Sequence, residues 1–216
     1  MKMDQAIRNV VAEIDACLSR LSGPGVRDVR AGINRWCQGA IKATVSHSNP
    51  IFADLDMALE AMRDTDSALA KAIADVSPHL NWVTCDFYPR EEIGADFADG
   101  HAFASVIGEG CPLEATDFDL GLFVVKSNIL YRDHHHAAPE LYVPLTGPHG
   151  WRFKPGDPLI WKQAGEPVWN EPWQPHATMV GTVPFLAFYA WTRDISNPAT
   201  VITSSDWSEL ETSRHP

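Results

Sequence analysis

The sequence predicts an α+β protein in which a helical N-terminal segment is followed by a barrel of short β-strands. Up to about residue 77, the apolar residues recur at helical spacing. Beyond about residue 80, short apolar stretches are separated by glycine and proline, and nine of the 16 prolines fall between Pro139 and Pro184. Such a density is incompatible with long helices and is typical of short strands joined by tight turns.

Three helical stretches are predicted in the N-terminal segment, over residues 7–21, 28–43 and 55–76. Gly23 and Pro24 end the first stretch, and Pro78 follows the last. Each stretch has an apolar face that needs a partner. We therefore expect residues 1–80 to pack on a barrel formed by residues 81–216, as one integrated domain.

The barrel half contains five predicted strands, over residues 102–107, 120–131, 141–145, 158–161 and 183–191. Gly-Asp-Pro at residues 156–158 and Gly-Glu-Pro at residues 165–167 are turn signals between them. No internal repeat or low-complexity stretch interrupts the pattern.

Composition limits the function. Apolar residues make up 45% of the chain and charged residues 21%, which is typical of a globular protein. The formal net charge of −11 argues against a nucleic-acid partner, which requires a basic face. Four cysteines without a C-x-x-C spacing indicate a reduced compartment rather than a disulfide frame. No apolar signal core or membrane-length run is present, so a soluble, cytoplasmic protein without a membrane partner is expected.

The most informative motif is a histidine-rich run that begins at His134. Side chains alternate along a strand, so His134 and His136 point the same way. A bend at residues 137–139 follows, after which Glu140 and Tyr142 share one face of the next strand. Two imidazoles and a carboxylate, joined by the remote His176, form a nitrogen and oxygen site for a divalent transition metal.

A solvated histidine-rich turn is the alternative interpretation of this run. The surrounding apolar residues favour a buried site instead; they are Ile129, Leu130, Leu141, Val143 and Leu145. His135 has the wrong parity to join its two neighbours, so we expect it to face outward.

The spacing His134-x-His136-x3-Glu140-x6-Gly147, with His176 downstream, resembles the two motifs of the cupin superfamily. The resemblance implies a double-stranded β-helix, or jelly-roll, barrel that holds one metal ion. Two positions depart from the usual pattern, because Asn128 replaces a glycine and Val180 replaces an asparagine. Neither departure affects a metal ligand.

A narrower pattern adds Tyr131 before the histidines, Tyr142 after the glutamate, and Trp191. It resembles the DddQ-type cupin dimethylsulfoniopropionate lyases of marine bacteria, which also carry helices before the barrel. The resemblance implies a β-elimination that splits this zwitterionic sulfonium substrate into dimethyl sulfide and acrylate.

The same resemblance implies a role for each site residue. His134, His136, Glu140 and His176 would hold one divalent ion, either zinc, iron or manganese, which acts as a Lewis acid on the substrate carboxylate. Tyr142 would be the base, because a nearby cation favours its phenolate. From spacing alone, a tyrosine that only fills the barrel mouth is an equal alternative.

Two further aromatic residues are candidates for substrate binding. Trp191 is implied by the resemblance, and an indole face attracts a sulfonium cation. Phe185 and Tyr189 share its parity and extend the same inner lining. Tyr131 can point inward only if the strand bends at Arg132 and Asp133.

Two other functions remain open at this point. A different cupin enzyme, such as an iron dioxygenase, would use the same ligands, and a non-catalytic cupin would bind metal or ligand without turnover. A homodimer and a helical lid over the barrel are also open, because the sequence pattern defines neither.

Overall fold

The structure is a computed structural model that describes residues 1–43 and 51–213. Seven α-helices are found in these ranges: α1 Met3–Ser19, α2 Val26–Trp36, α3 Phe52–Ala61, α4 Ser67–Val76, α5 Arg90–Ile93, α6 Ala95–Asp99 and α7 Trp207–Thr212. None of these described helices is long and apolar enough to cross a membrane.

The helical N-terminal segment is confirmed, but its internal boundaries differ from the prediction. The stretch expected over 28–43 is α2, which ends already at Trp36. The stretch expected over 55–76 is two helices, because the chain turns after Met62 and restarts at Asp66. The Asp66 carboxylate accepts the Leu69 N–H at 3.1 Å, which is a side-chain N-cap inside an otherwise continuous apolar period.

Eleven strands lie in the described residues: β1 His101–Gly108, β2 Leu113–Glu114, β3 Asp119–Val125, β4 Leu130–His135, β5 Glu140–Pro144, β6 His149–Arg152, β7 Ile160–Lys162, β8 Val168–Asn170, β9 His176–Met179, β10 Phe185–Trp191 and β11 Thr200–Val201. They form a six-stranded sheet, ordered β2-β1-β3-β10-β5-β8, and a five-stranded sheet, ordered β11-β4-β9-β6-β7.

The strand predictions hold best for β1, β5 and β10. The single strand expected over 120–131 is wrong: it is β3 and β4, which belong to different sheets. The break includes Asn128, whose φ of 60° lies in the left-handed region. The strand expected over 158–161 begins only at Ile160. Five strands, β2, β6, β8, β9 and β11, were not predicted, because two to four residues carry too little periodicity.

Both faces of the six-stranded sheet are buried, which explains the unbroken apolar runs of β3 and β10. On one face, Leu122 and Phe188 share a core with helix residues such as Leu55 and Ile73. On the other face, Phe123 and Tyr189 point between the two sheets. The two sheets thus form a cupin-type double-stranded β-helix, with the N-terminal helices on the outer face of the larger sheet.

Candidate metal centre and its cavity

The three predicted histidine ligands converge at one end of the barrel. His134 in β4 lies directly opposite His176 in β9, and their ring centroids are 4.0 Å apart. His136 follows β4 in the connection to β5, which Glu140 opens in the other sheet. The available ligand atoms of the three buried histidines all lie within 4.8 Å of one another. The site therefore lies between the two sheets, as the alternation of side chains predicts.

The bend that Tyr131 requires is present. The register between β4 and β9 shifts between Tyr131 and His134, which is a β-bulge. Tyr131 is buried, and its ring stacks on His134 with centroids 3.9 Å apart. His135 lies outside the histidine cluster, half-buried against Trp173.

A buried ion pair supports this bulge. Asp133 lies within it and binds the guanidinium of Arg152 on β6; both side chains are fully buried. Arg152 also binds Asp206, whose pKa it lowers to about 2. The Trp207 indole N–H donates to Asp133 at 2.7 Å. These contacts hold Asp206 and Trp207 of the C-terminal segment beside the histidine cluster.

Each histidine of the cluster is oriented by a backbone carbonyl. A carbonyl can only accept, so each Nδ1 carries a proton, and each Nε2 is the ring nitrogen that faces the cluster. The bonded pairs are His134 Nδ1 with Arg132 O at 2.8 Å, His136 Nδ1 with Ala138 O at 2.8 Å, and His176 Nδ1 with Gln174 O at 2.9 Å.

The residues fit a metal cation, because three histidine nitrogens and a carboxylate oxygen face one another. Glu140 Oε2 lies 3.1 Å from His136 Nε2 and 3.5 Å from His176 Nε2. The Nε2 atom of His176 is buried and has no hydrogen-bond partner. Burial lowers the pKa of His134 to about 3 and that of His176 well below its usual range. Neutral imidazoles are the form that binds a metal.

Glu140 remains a carboxylate in this environment. Burial alone would raise its pKa, but His136, His176 and Trp191 together lower it below its usual range. The Trp191 indole N–H donates to Oε1 at 2.7 Å, and the Asn170 side-chain amide donates to Oε2 at 3.1 Å. These two donors fix the orientation of the carboxylate toward the histidines.

A cavity of about 160 Å³ lies next to this cluster, and eight of its twelve lining residues are aromatic. Tyr131, Glu140, Tyr142 and Trp191, all predicted from the sequence, are among them. Tyr142 is buried, and burial followed by the Glu140 charge raises the pKa of Tyr142 well above its usual range. The indole of Trp191 also stacks on His136, with ring centroids 4.5 Å apart.

Three residues of this region were not predicted from the sequence. Tyr88 bonds Tyr131 hydroxyl to hydroxyl at 2.7 Å, Asn170 faces Glu140 across β5 and β8, and Asp119 lines the cavity. Each is remote in sequence from the histidine motif and carries no local signal. Strand pairing brings Asn170 and Asp119 to the site, and Tyr88 reaches it from the loop before α5.

The fold and the histidine cluster together define a cupin-type barrel with a candidate metal centre. Residues 32–187 match the family model of the dimethylsulfoniopropionate lyases, and the chain belongs to this family. The dimethylsulfoniopropionate lyase DddQ of Ruegeria pomeroyi is 31% identical over 116 residues, which cover 54% of this chain. The matched region spans 57% of that relative's length.

Solved structures share the whole architecture. One chain from the crystal structures of the lyases RdDddP and RnDddQII superposes with a TM-score of 0.73 at 18% identity, covering 94% of this chain and 100% of its own length. The crystal structure of DddQ from Ruegeria pomeroyi gives a TM-score of 0.67 at 22% identity, covering 94% and 98%. At these identities the likeness establishes the fold, including the helices that precede the barrel.

Proposed function

We propose that the protein is a metal-dependent lyase that cleaves dimethylsulfoniopropionate into dimethyl sulfide and acrylate by β-elimination. Family membership supports this substrate. The observation that carries the proposal is the set of three buried histidine Nε2 atoms and one carboxylate, which meet beside an aromatic cavity.

His134, His136, Glu140 and His176 would hold one divalent transition metal, with zinc, iron and manganese all compatible with nitrogen and oxygen ligands. Bound there, the cation would act as a Lewis acid for the substrate carboxylate and favour the phenolate form of a neighbouring tyrosine. Trp191 and Asn170 keep Glu140 turned toward the histidines through their hydrogen bonds.

Tyr142 would be the base, because it follows Glu140 by two residues on the same face of β5 and lines the cavity. Its oxygen would take the proton from the carbon next to the carboxylate. The electrons of that C–H bond then form the double bond of acrylate. The C–S electrons leave with sulfur, so the sulfonium becomes neutral dimethyl sulfide.

Tyr131 and Trp191 would position the substrate. The hydroxyl of Tyr131 is held by Tyr88, so its ring orientation is fixed against His134. The indole of Trp191 would lie against the sulfonium, a contact worth about 1–2 kcal/mol when desolvated. The aromatic wall would also keep water away from the developing negative charge.

The proposal is tested by the release of dimethyl sulfide into the headspace above metal-loaded protein. We expect release by the wild type, and a loss of roughly 10²–10⁴-fold in kcat for Tyr142→Phe at unchanged metal content. Tyr88→Phe is the matched variant, since it also removes one buried hydroxyl from the cavity, and it should lose far less.

Two results would contradict the proposal. An absence of dimethyl sulfide with zinc, iron and manganese alike would refute the activity. Full activity of Tyr142→Phe would refute the role of the base alone. Oxygen consumption by the iron-loaded protein would favour the dioxygenase alternative.

A further inference from the structure

A second carboxylate lies in the cavity, across the sheet from the candidate metal ligands. Asp119 in β3 is directly opposite Trp191 in β10, and Trp191 is directly opposite Glu140 in β5. Residues opposite one another on neighbouring strands point to the same face. The backbones of Asp119 and Glu140 are two strand spacings apart, or about 10 Å. A small ligand held at the histidine cluster would therefore extend toward Asp119.

Asp119 is oriented by neutral donors. The Ser105 hydroxyl donates to Oδ2 at 3.1 Å, and the Tyr189 hydroxyl donates to Oδ1 at 3.4 Å. Gly121 makes this arrangement possible, because a Cβ at that position would lie 2.9 Å from the Tyr189 hydroxyl. The carboxylate is thus held in the cavity wall without neutralisation of its charge.

The cavity supplies no positive charge of its own. Among the described residues, the lining contains Asp119 and Glu140 but no lysine, arginine or histidine, and Asp119 forms no ion pair. Burial, together with the Glu140 charge, raises the pKa of Asp119 to about 6 against the effect of its two hydroxyl donors. A carboxylate in such an apolar wall gains most from a ligand that brings a cation.

We propose that Asp119 recognises the cationic end of the substrate, so that the site selects carboxylate–onium zwitterions over neutral molecules of the same shape. This inference rests on the proposed function, in which the substrate carboxylate is held at the opposite end of the cavity. Phe103, Tyr189 and Trp191 line the same cavity and lower the local dielectric, which strengthens the attraction between carboxylate and cation.

The test uses two non-reacting ligands that differ only in charge. The trimethylammonium compound β-alanine betaine and its carbon isostere 4,4-dimethylpentanoate have the same shape and the same carboxylate. Binding of each to the metal-loaded protein is measured by titration calorimetry. The wild type should bind the betaine at least roughly tenfold more tightly than the isostere. Asp119→Asn should remove the part of that preference that the Trp191 indole does not supply, and leave the affinity for the isostere unchanged.

Two control variants separate a local effect from a general one. Ser105→Ala removes a hydrogen bond but keeps the Asp119 charge, so it should retain the preference. Glu109→Gln removes one negative charge at an exposed position after β1 and should also retain it. If Asp119→Asn does not fold, Asp119→Ser provides a second neutral side chain.

The inference is overturned if the wild type binds both ligands equally, or if a folded neutral variant keeps the full preference. These outcomes are independent of turnover. A protein that shows the Asp119-dependent preference but releases no dimethyl sulfide would refute the lyase and leave the recognition of onium compounds standing. A protein that releases dimethyl sulfide without this preference would refute the role of Asp119 and leave the lyase standing.

Discussion

The two faces of the six-stranded sheet are formed by the same strands but carry different kinds of side chain. On the helix-facing side, Leu122, Val124, Leu186 and Phe188 form an aliphatic and aromatic core without a titratable group from these strands. On the barrel-facing side, the intervening residues carry the carboxylates, phenols and indole of the cavity; they include Asp119, Glu140, Tyr142, Tyr189 and Trp191.

Successive residues of one strand therefore have different roles. One faces the helices and contributes to stability, and the next faces the cavity and contributes to its chemistry. The helix-facing residues gain free energy from burial alone. The barrel-facing residues include polar groups that cost free energy to bury and depend on hydrogen bonds or a bound cation. Substitutions on the two faces should therefore change different measurable quantities.

The largest expected effect compares two phenylalanines of β10. Phe188 faces the helices and Phe185 faces the barrel, and both are almost completely buried. Either change to alanine should lower the free energy of unfolding by about 3–5 kcal/mol, because a large cavity is left behind. Only Phe185→Ala should also lower metal affinity or turnover, since its ring lies against Tyr142 with centroids 6.2 Å apart.

Chemical denaturation measures the first quantity, and metal titration of the folded variants measures the second. Loss of metal binding in a folded Phe188→Ala protein would mean that the two faces are coupled through the sheet. Unchanged metal binding and turnover in Phe185→Ala would mean that the aromatic wall does not position Tyr142.

Three of the four candidate ligands, His134, His136 and Glu140, could be proposed from the sequence because they lie close together along the chain. Alternation along β4 and the bend after His136 are local features, so parity alone selects His134 and His136 over His135. Asn170 and Asp119 also contribute to the site region, yet each reaches it through pairing with a distant strand. The register between strands that are distant in sequence is set in the folded sheet. It cannot be predicted from a single sequence.

The order of helices and strands could also be predicted from the sequence, but several of their boundaries could not. The change from helices to strands along the chain is confirmed, but it falls at His101 rather than near residue 80, because α5 and α6 precede the first strand. The division into units at residue 80 stays a prediction. The break after β3 was missed, because residues 126–128 interrupt an apolar run without a glycine or proline. Tertiary pairing ends the strand there.

A second prediction concerns the loss of stability at acid pH, and it involves one buried histidine from each sheet. Burial lowers the pKa of His101 and of His149 to about 4. Both are neutral and hydrogen-bonded: Cys85 N donates to His101 Nε2 at 2.8 Å, and Gly181 N donates to His149 Nδ1 at 3.1 Å. Their contribution to stability is fully present above the unfolded pKa near 6.5 and is lost as the pH falls through about 4.

Between pH 7 and pH 5, each histidine should lower the free energy of unfolding by about 2 kcal/mol, because the unfolded chain binds the proton that the folded chain excludes. Urea denaturation of metal-free protein at the two pH values measures this loss. His149→Gln should remove about 2 kcal/mol of the total loss, and the double variant with His101→Gln about twice that. The buried His134 and His176, whose pKa values are also lowered, account for the remainder in metal-free protein. An unchanged pH dependence in the double variant would contradict the assignment to His101 and His149.

The smallest expected effect compares two tryptophans that donate to glutamates from opposite faces of the sheet. Trp191 donates to Glu140 at 2.7 Å, whereas Trp169 packs toward the helix-facing core and donates to the exposed Glu171 at 2.7 Å. Trp191→Phe should weaken metal binding by roughly tenfold, because Glu140 loses one of the two donors that orient it. Trp169→Phe loses a bond of the same length and should leave metal affinity unchanged. Competition with a chromophoric chelator measures the metal affinity of both variants. Equal weakening in the two would show that loss of an indole, rather than the orientation of Glu140, controls metal affinity.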